Sequence, residues 1–155
     1  MLSGFGSNVT LSNSAFSNQS AVASFGIDTI HGGSVGSSLE LQRHTTDVHG
    51  KKGQGPTLKD QNSLIRVRTV DAAAFLDGLG DATSRNIVLK VDVEGSEYAV
   101  LRRLIESGVL CRRVTDVFVE WHDQAANMAT FRWIHSQLNT VCTRFIAPRY
   151  GPGAY

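Results

Sequence analysis

Residues 87–98 read IVLKVDVEGSEY, and the order of residue types in that stretch decides the fold. An apolar run broken only by Lys90 ends at Asp92, passes Glu94 and Gly95, and opens at once into a helical pattern. This is the pattern of a buried parallel strand feeding the next helix. In open α/β sheets, ligands bind in the crevice beyond the carboxyl ends of such strands. A carboxylate at the end of a buried strand also has to be satisfied by some partner, so Asp92 is the first candidate functional residue.

Working outward, residues 97–107 form an amphipathic helix. Tyr98, Leu101 and Ile105 share a face with Val100 and Leu104, Arg102 and Arg103 lie on its solvated side, and Gly108 stops it. Residues 116–121 (DVFVEW) read as a second core strand. Asp123 is placed to cap a helix whose buried stripe is Met128, Phe131, Ile134 and Leu138, and residues 141–147 read as a last strand. Upstream, residues 64–70 (LIRVRTV) alternate apolar and basic residues, as a strand with one wet face does. Asp71 is a good N-cap for a helix over 72–79 closed by Gly80. Strand, helix, strand, helix, strand predicts an α/β fold with a doubly wound, mostly parallel sheet. The N-terminal third is rich in Ser, Asn and Gly, with strands expected over 8–16 and 21–27 and a turn-rich segment over 31–38. Residues 43–62 are nearly devoid of apolar side chains and read as a long flexible loop, and residues 148–155 as a flexible tail.

The 155 residues predict one domain with room for a sizeable core, and the apolar fraction of 41% is ordinary for a globular chain. A net charge of +1 gives no bulk electrostatic argument for a nucleic-acid, anionic-membrane or acidic partner, and neither nucleic acid nor a membrane is expected as one. No stretch approaches the ~20 apolar residues of a membrane span. The first residues lack the basic start and apolar centre of a signal peptide, which leaves the cytoplasm as the default compartment. Cys111 and Cys142 have no partner at metal-binding spacing and read as buried thiols suited to a reducing compartment.

Two successive core strands end in acidic groups: Asp92 with Glu94, and Glu120 with His122. Paired in parallel they lie about 4.8 Å apart, so both ends open on one edge of the sheet. If the first strand stays extended that far, Asp92 and Glu94 share a side. Such a cluster could hold a cationic ligand, bind a hard metal, or act as a general base. The blander alternative is that these groups cap helices or bond loop amides. That alternative is preferred for Glu97, which meets the helix dipole in the first turn. His44, Asp47 and His49 resemble a ligand set but sit in the solvated loop, and no metal ligands are assigned.

Over residues 87–104 (IVLKVDVEGSEYAVLRRL) the chain strongly resembles the FkbM family of S-adenosylmethionine-dependent methyltransferases. The resemblance is carried by Lys90, Val91, Asp92, Val93, Glu94, Gly95, Ser96 and Glu97, then Val100 and Leu101. Residues 67–76 (VRTVDAAAFL) and 116–122 (DVFVEWH) match flanking parts of the family pattern. Residues 8–17 and the segment ending at Ser37, Ser38 and Leu39 match more loosely. The resemblance implies a class I, Rossmann-like sheet and methyl transfer to the hydroxyl of a small molecule or sugar, with S-adenosylmethionine as cofactor. Residues 87–93 would be its fourth strand and 116–121 its fifth. Asp92 would face the methionine end of the cofactor and the acceptor oxygen, while Asn13, Ser14 and Ala15 would approach the adenine. Glu94, Glu120 and His122 complete the candidate catalytic set.

The family's glycine-rich loop after strand one, and the acidic residue ending strand two, have no counterpart in this sequence. The resemblance therefore implies a sheet incomplete at its N-terminus, weak or absent cofactor binding by these 155 residues alone, and an exposed edge on the fourth strand that invites self-association. The rival reading is a non-catalytic remnant or interaction module that keeps the sheet without the cofactor. A nucleotide-binding α/β protein of another kind would explain Asp92 but not the rest of the run.

Overall fold

The structure, a computed structural model, describes residues 9–27, 37–39, 64–81, 86–122 and 124–140, with 144–146 described for the backbone alone. The expected loop over 43–62, the tail over 148–155, and Asp123 lie outside the described residues. The elements in chain order are β1 (Ala15–Ser17), β2 (Ala21–Gly26), β3 (Leu64–Asp71), α1 (Ala72–Asp77), β4 (Ile87–Val91), α2 (Glu97–Glu106), α3 (Val109–Arg113), β5 (Val114–Val119), α4 (Met128–Thr140) and β6 (Arg144–Ile146). The chain is α/β. No described helix is long and apolar enough to cross a membrane.

The strands form two three-stranded sheets among the described residues, in the orders β1-β3-β2 and β4-β5-β6. The second is parallel throughout, as the alternation of strands and helices requires. The first is mixed, because β2 runs antiparallel to β3 while β1 runs parallel to it. One continuous doubly wound sheet is thus not what the described strands make. The N-terminal strand is also much shorter than its alternation suggested. It begins only at Ala15, and Val9 and Leu11 are exposed, so alternation there found no partner strand among the described residues.

The core is built where the sequence is most apolar. Val91 of β4, Val114, Val117 and Val119 of β5, Leu101 and Leu104 of α2, Leu110 of α3, and Ile134 and Leu138 of α4 are buried together. In the α4 stripe, Met128 is exposed and Phe131 only partly buried, so the seam is narrower than its periodicity implied. Helix α2 stops at Glu106, and Gly108 adopts a left-handed conformation (φ 69°). A further helix, α3, follows it, over residues to which the sequence pattern assigned no element. Cys111 within α3 is disulfide-bonded, and Cys142 lies outside the described residues. The expectation of free thiols therefore fails for Cys111, and with it the basis for a reducing compartment. Bridging depends on Cα atoms a few Å apart in space, which sequence spacing does not report.

Two polar contacts tie the halves together. Arg113 is buried, and its guanidinium donates to the carbonyl oxygens of Asp81 (2.8 Å) and Leu79, just beyond α1. Asp71 caps α1 as expected, accepting from the N–H groups of Ala73 (2.9 Å) and Ala74 (3.3 Å). Helix α1 ends earlier than expected, at Asp77 with Gly78 as its C-cap. The same Asp71 carboxylate receives Arg103 of α2 through Nε (3.0 Å) and Nη2 (2.9 Å). Arg103 is thus not merely a solvated helix residue.

The Arg103 hydrogen bond holds the Asp71 carboxyl below its usual range, and the cap amides add to this against the opposing effect of burial. A carboxyl lowered in the folded state stabilises the fold fully above its unfolded pKa of ~3.9 and loses that contribution as pH falls through the lower folded value. Asp71→Ala is expected to cost about 1–2 kcal/mol, the usual price of a lost N-cap. In urea denaturation across an acid pH series, the variant should lack that part of the acid-side loss of stability.

Candidate functional site

The site begins where β4 stops. Pairing between β4 and β5 continues one step beyond the strands, with the N–H of Glu120 donating to the carbonyl of Val91 (2.9 Å). That bond sets Asp92 and Glu120 side by side at the carboxyl end of the parallel sheet. The chain does not remain extended through Glu94, however. Glu94 is the one non-glycine residue with positive φ (52°) among the described residues, and Gly95 follows at φ 102°. Glycine accepts such a conformation freely, whereas for Glu94 it costs about 1–3 kcal/mol. The result is a tight reversal that delivers the chain into α2 within a few residues. Ser38 braces it, its hydroxyl donating to the Glu94 carbonyl (2.5 Å).

This turn brings together groups from three elements. Asp92 Oδ2 accepts from Lys90 Nζ at 2.6 Å, with the Asp92 side chain 34% exposed. His122, just beyond β5, has Nε2 3.6 Å from Glu94 Oε2, and its Nδ1 meets Glu97 Oε1 directly. Polar atoms of Asp92, Glu120 and His122 lie within 4.8 Å of one another. Such a set has donor chemistry that a hard cation accepts, but here an ammonium already engages the Asp92 carboxylate. The Tyr98 hydroxyl donates to the backbone carbonyl of His122 (2.7 Å). Trp121 packs between Tyr98 (5.4 Å between ring centroids) and Phe131 (4.9 Å), so the segment carrying His122 is held from α2 and α4.

Lys90, hydrogen-bonded to Asp92, holds that carboxyl below the usual carboxylate range. Attraction from Lys90 and His122 and a hydrogen bond with Glu120 act in the same direction, and burial opposes them. Asp92 is therefore a stable negative charge at neutral pH.

Beside this cluster a cleft of about 790 Å³ runs between the two sheets, within the usual range for small-molecule sites of ~300–1,000 Å³. Asn13, Ser14 and Ala15 line it from the β1 side, and Asp92 and Glu94 from the β4 side. Its middle is apolar, contributed by Val67, Ala72, Leu76, Leu89, Val91 and Leu104. Five of the seven residues singled out from the sequence thus line one cavity. Glu120 and His122 do not, and reach it through Asp92 and Glu94. Ser38, which the sequence placed only in a loosely matching segment, braces the turn, and Glu97, read from the sequence as a first-turn residue meeting the helix dipole, has a side chain that is 0% exposed. A signal for Glu97 was available: Glu97, Leu101 and Leu104 recur at helical spacing on one buried face.

The family profile described as methyltransferase FkbM domain matches residues 10–140 of the chain. No curated protein and no solved structure matches it.

If Lys90 sets the Asp92 charge, removing the ammonium releases that carboxyl upward. In Lys90→Met, the Asp92 carboxyl should titrate at higher pH than in the parent protein, as followed by carboxyl carbon NMR. An unchanged midpoint would assign the lowering to another group.

Proposed function

Since the chain belongs to the FkbM family of methyltransferases, we propose that it transfers a methyl group from S-adenosylmethionine to a hydroxyl oxygen of a small molecule or sugar. The observation that carries this reading is the single cleft joining Asn13, Ser14 and Ala15 to Asp92 and Glu94. On it, β4 and β5 serve as the fourth and fifth strands of a Rossmann-like sheet. The cleft has the volume for such a cofactor, polar groups at its two ends, and an apolar middle suited to a flat ring system. The cofactor supplies an electrophilic methyl group on a sulfonium centre.

The residues of the chain supply the rest. The carboxylates of Asp92 and Glu94 present negative charge to the sulfonium, which strengthens binding of the cationic cofactor over its neutral product. Asn13 and Ser14 offer hydrogen-bonding groups to the base. The site's main task is alignment, because displacement at a methyl carbon needs the acceptor oxygen opposite the leaving sulfur. A nearby group must also take the hydroxyl proton.

Ligand-observed NMR with millimolar S-adenosylmethionine tests this reading. Saturation should pass from the protein to the adenine and methyl protons. Asp92→Asn should reduce the effect at the methyl end severalfold while leaving the fold intact by circular dichroism. Absence of any transfer to the folded parent chain would favour the interaction-module reading instead.

The edge of β4 supports a second proposal. Among the described strands β4 pairs with β5 alone, and Val88 is exposed. We propose that copies of the chain associate through this edge. Sedimentation should then depend on protein concentration, and Val88→Lys should abolish that dependence.

A further inference from the structure

Glu97 is a titratable group that alignment of the methyl donor does not use. Its side chain is shut off from solvent, Oε1 meets His122 Nδ1, and Oε2 has no hydrogen-bond partner among the described residues. A carboxylate that only favoured the helix dipole would sit at the surface, where water completes its hydrogen bonds. Burying one with an oxygen left over is costly unless its charged partner compensates. Among the described residues, His122 is the side chain that hydrogen-bonds this carboxylate.

We propose that Glu97 is a positioning residue for proton removal: it accepts the Nδ1–H of His122, fixes that tautomer, and presents Nε2 as the acceptor of the substrate's hydroxyl proton. The proposal rests on the methyltransferase reading above. A buried carboxylate behind a histidine selects the tautomer and holds the ring, as in other carboxylate–histidine pairs. The ring is also held from its backbone, through the Tyr98 hydroxyl on the His122 carbonyl. Nε2 lies on the side of Glu94 Oε2, at 3.6 Å, and Glu94 lines the cleft.

His122 suits this role better than Asp92. The Asp92 carboxylate is committed to Lys90 and sits below its usual range, which makes it a poor proton acceptor at neutral pH. A neutral imidazole keeps one ring nitrogen free to accept a proton while the other donates to a carboxylate. The charged groups around His122 among the described residues are Glu97 from α2, Asp92 and Glu94 from the turn after β4, Glu120 from the end of β5, and the Lys90 ammonium of β4 on the Asp92 carboxylate. The acidic groups favour the imidazolium that forms, and Lys90 offsets part of the Asp92 charge. In the step, a lone pair of the acceptor oxygen forms the C–O bond to the methyl carbon as the C–S bond breaks and its electron pair returns to sulfur. The hydroxyl proton passes to Nε2, and the resulting imidazolium is balanced by Glu97.

The test reads the imidazole directly and needs no methyl donor. Long-range ¹H–¹⁵N spectra of the labelled full chain report the tautomer and protonation of each histidine, and His122 is assigned by its loss in His122→Asn. The expected result is an Nδ1–H tautomer for neutral His122. In the near-isosteric Glu97→Gln, the protonation midpoint should move to lower pH by about one unit, a tenfold change in proton affinity. An Nε2–H tautomer in the parent protein would overturn the proposal without any variant, and so would superimposable titrations in a folded Glu97→Gln. Where turnover is measured, the acid limb of the pH–rate profile should shift with the midpoint. A merely structural role would lower the rate equally at every pH and would also overturn the proposal. Failure of the cofactor-binding experiment would leave these spectra unchanged, so the two readings fail separately.

Discussion

The site depends on the parallel pairing of β4 with β5, carried one residue further by the hydrogen bond from Glu120 N–H to Val91 C=O. Parallel strands place like ends together, so the carboxyl ends of both core strands arrive at one edge of the sheet. Without that register Asp92 and Glu120 would be ordinary strand-end residues. With it, four carboxylates and one imidazole occupy a few ångströms of space. Such density of like charge has to be compensated, and Lys90 and His122 supply the compensation.

The reversal at Glu94 and Gly95 is the second constraint, and it follows from the first. A strand that continued extended would have carried Glu94 and Glu97 away from β5. Two successive residues with positive φ turn the chain at once into α2. Helix α2 then buries Leu101 and Leu104 in the core while its first residue points back toward His122. The local strain at Glu94 is offset by the burial of α2 and by the Ser38 hydroxyl on the Glu94 carbonyl. Packing energy from an apolar helix face thus holds a polar arrangement that would not assemble alone.

Much of this was legible in the chain itself. The run from Ile87 to Val93 announced a strand, and Asp92 stood out because a charge follows it; the strand is shorter, Ile87–Val91, and not buried throughout, since only Val91 is buried and Val88 is exposed. The helix beginning at Glu97 and the core strand before Trp121 followed from their periodicity. Asp71 was legible as a cap because cap chemistry is local. The misreadings share a cause: residues 8–16 alternate like a strand, but alternation states which faces match and not whether a neighbour exists. Glu97 is a first-turn residue as the sequence indicated, but the turn before it decides which way that residue faces. The bonding of Cys111 was equally invisible, since bridging is a matter of distance across the fold.

The sequence by itself determined the α/β class, the strand that Asp92 follows, and the family, because these rest on periodicity and on a contiguous run of residues. Tertiary structure alone decided that Asn13, Ser14 and Ala15 face Asp92 and Glu94 across one cleft, that β2 turns the first sheet antiparallel, and that Glu97 stands behind His122. Each of these joins residues far apart in the chain or depends on a backbone reversal. The physical reason is that hydrogen-bond geometry and burial act through space, while a sequence records only neighbours along the chain.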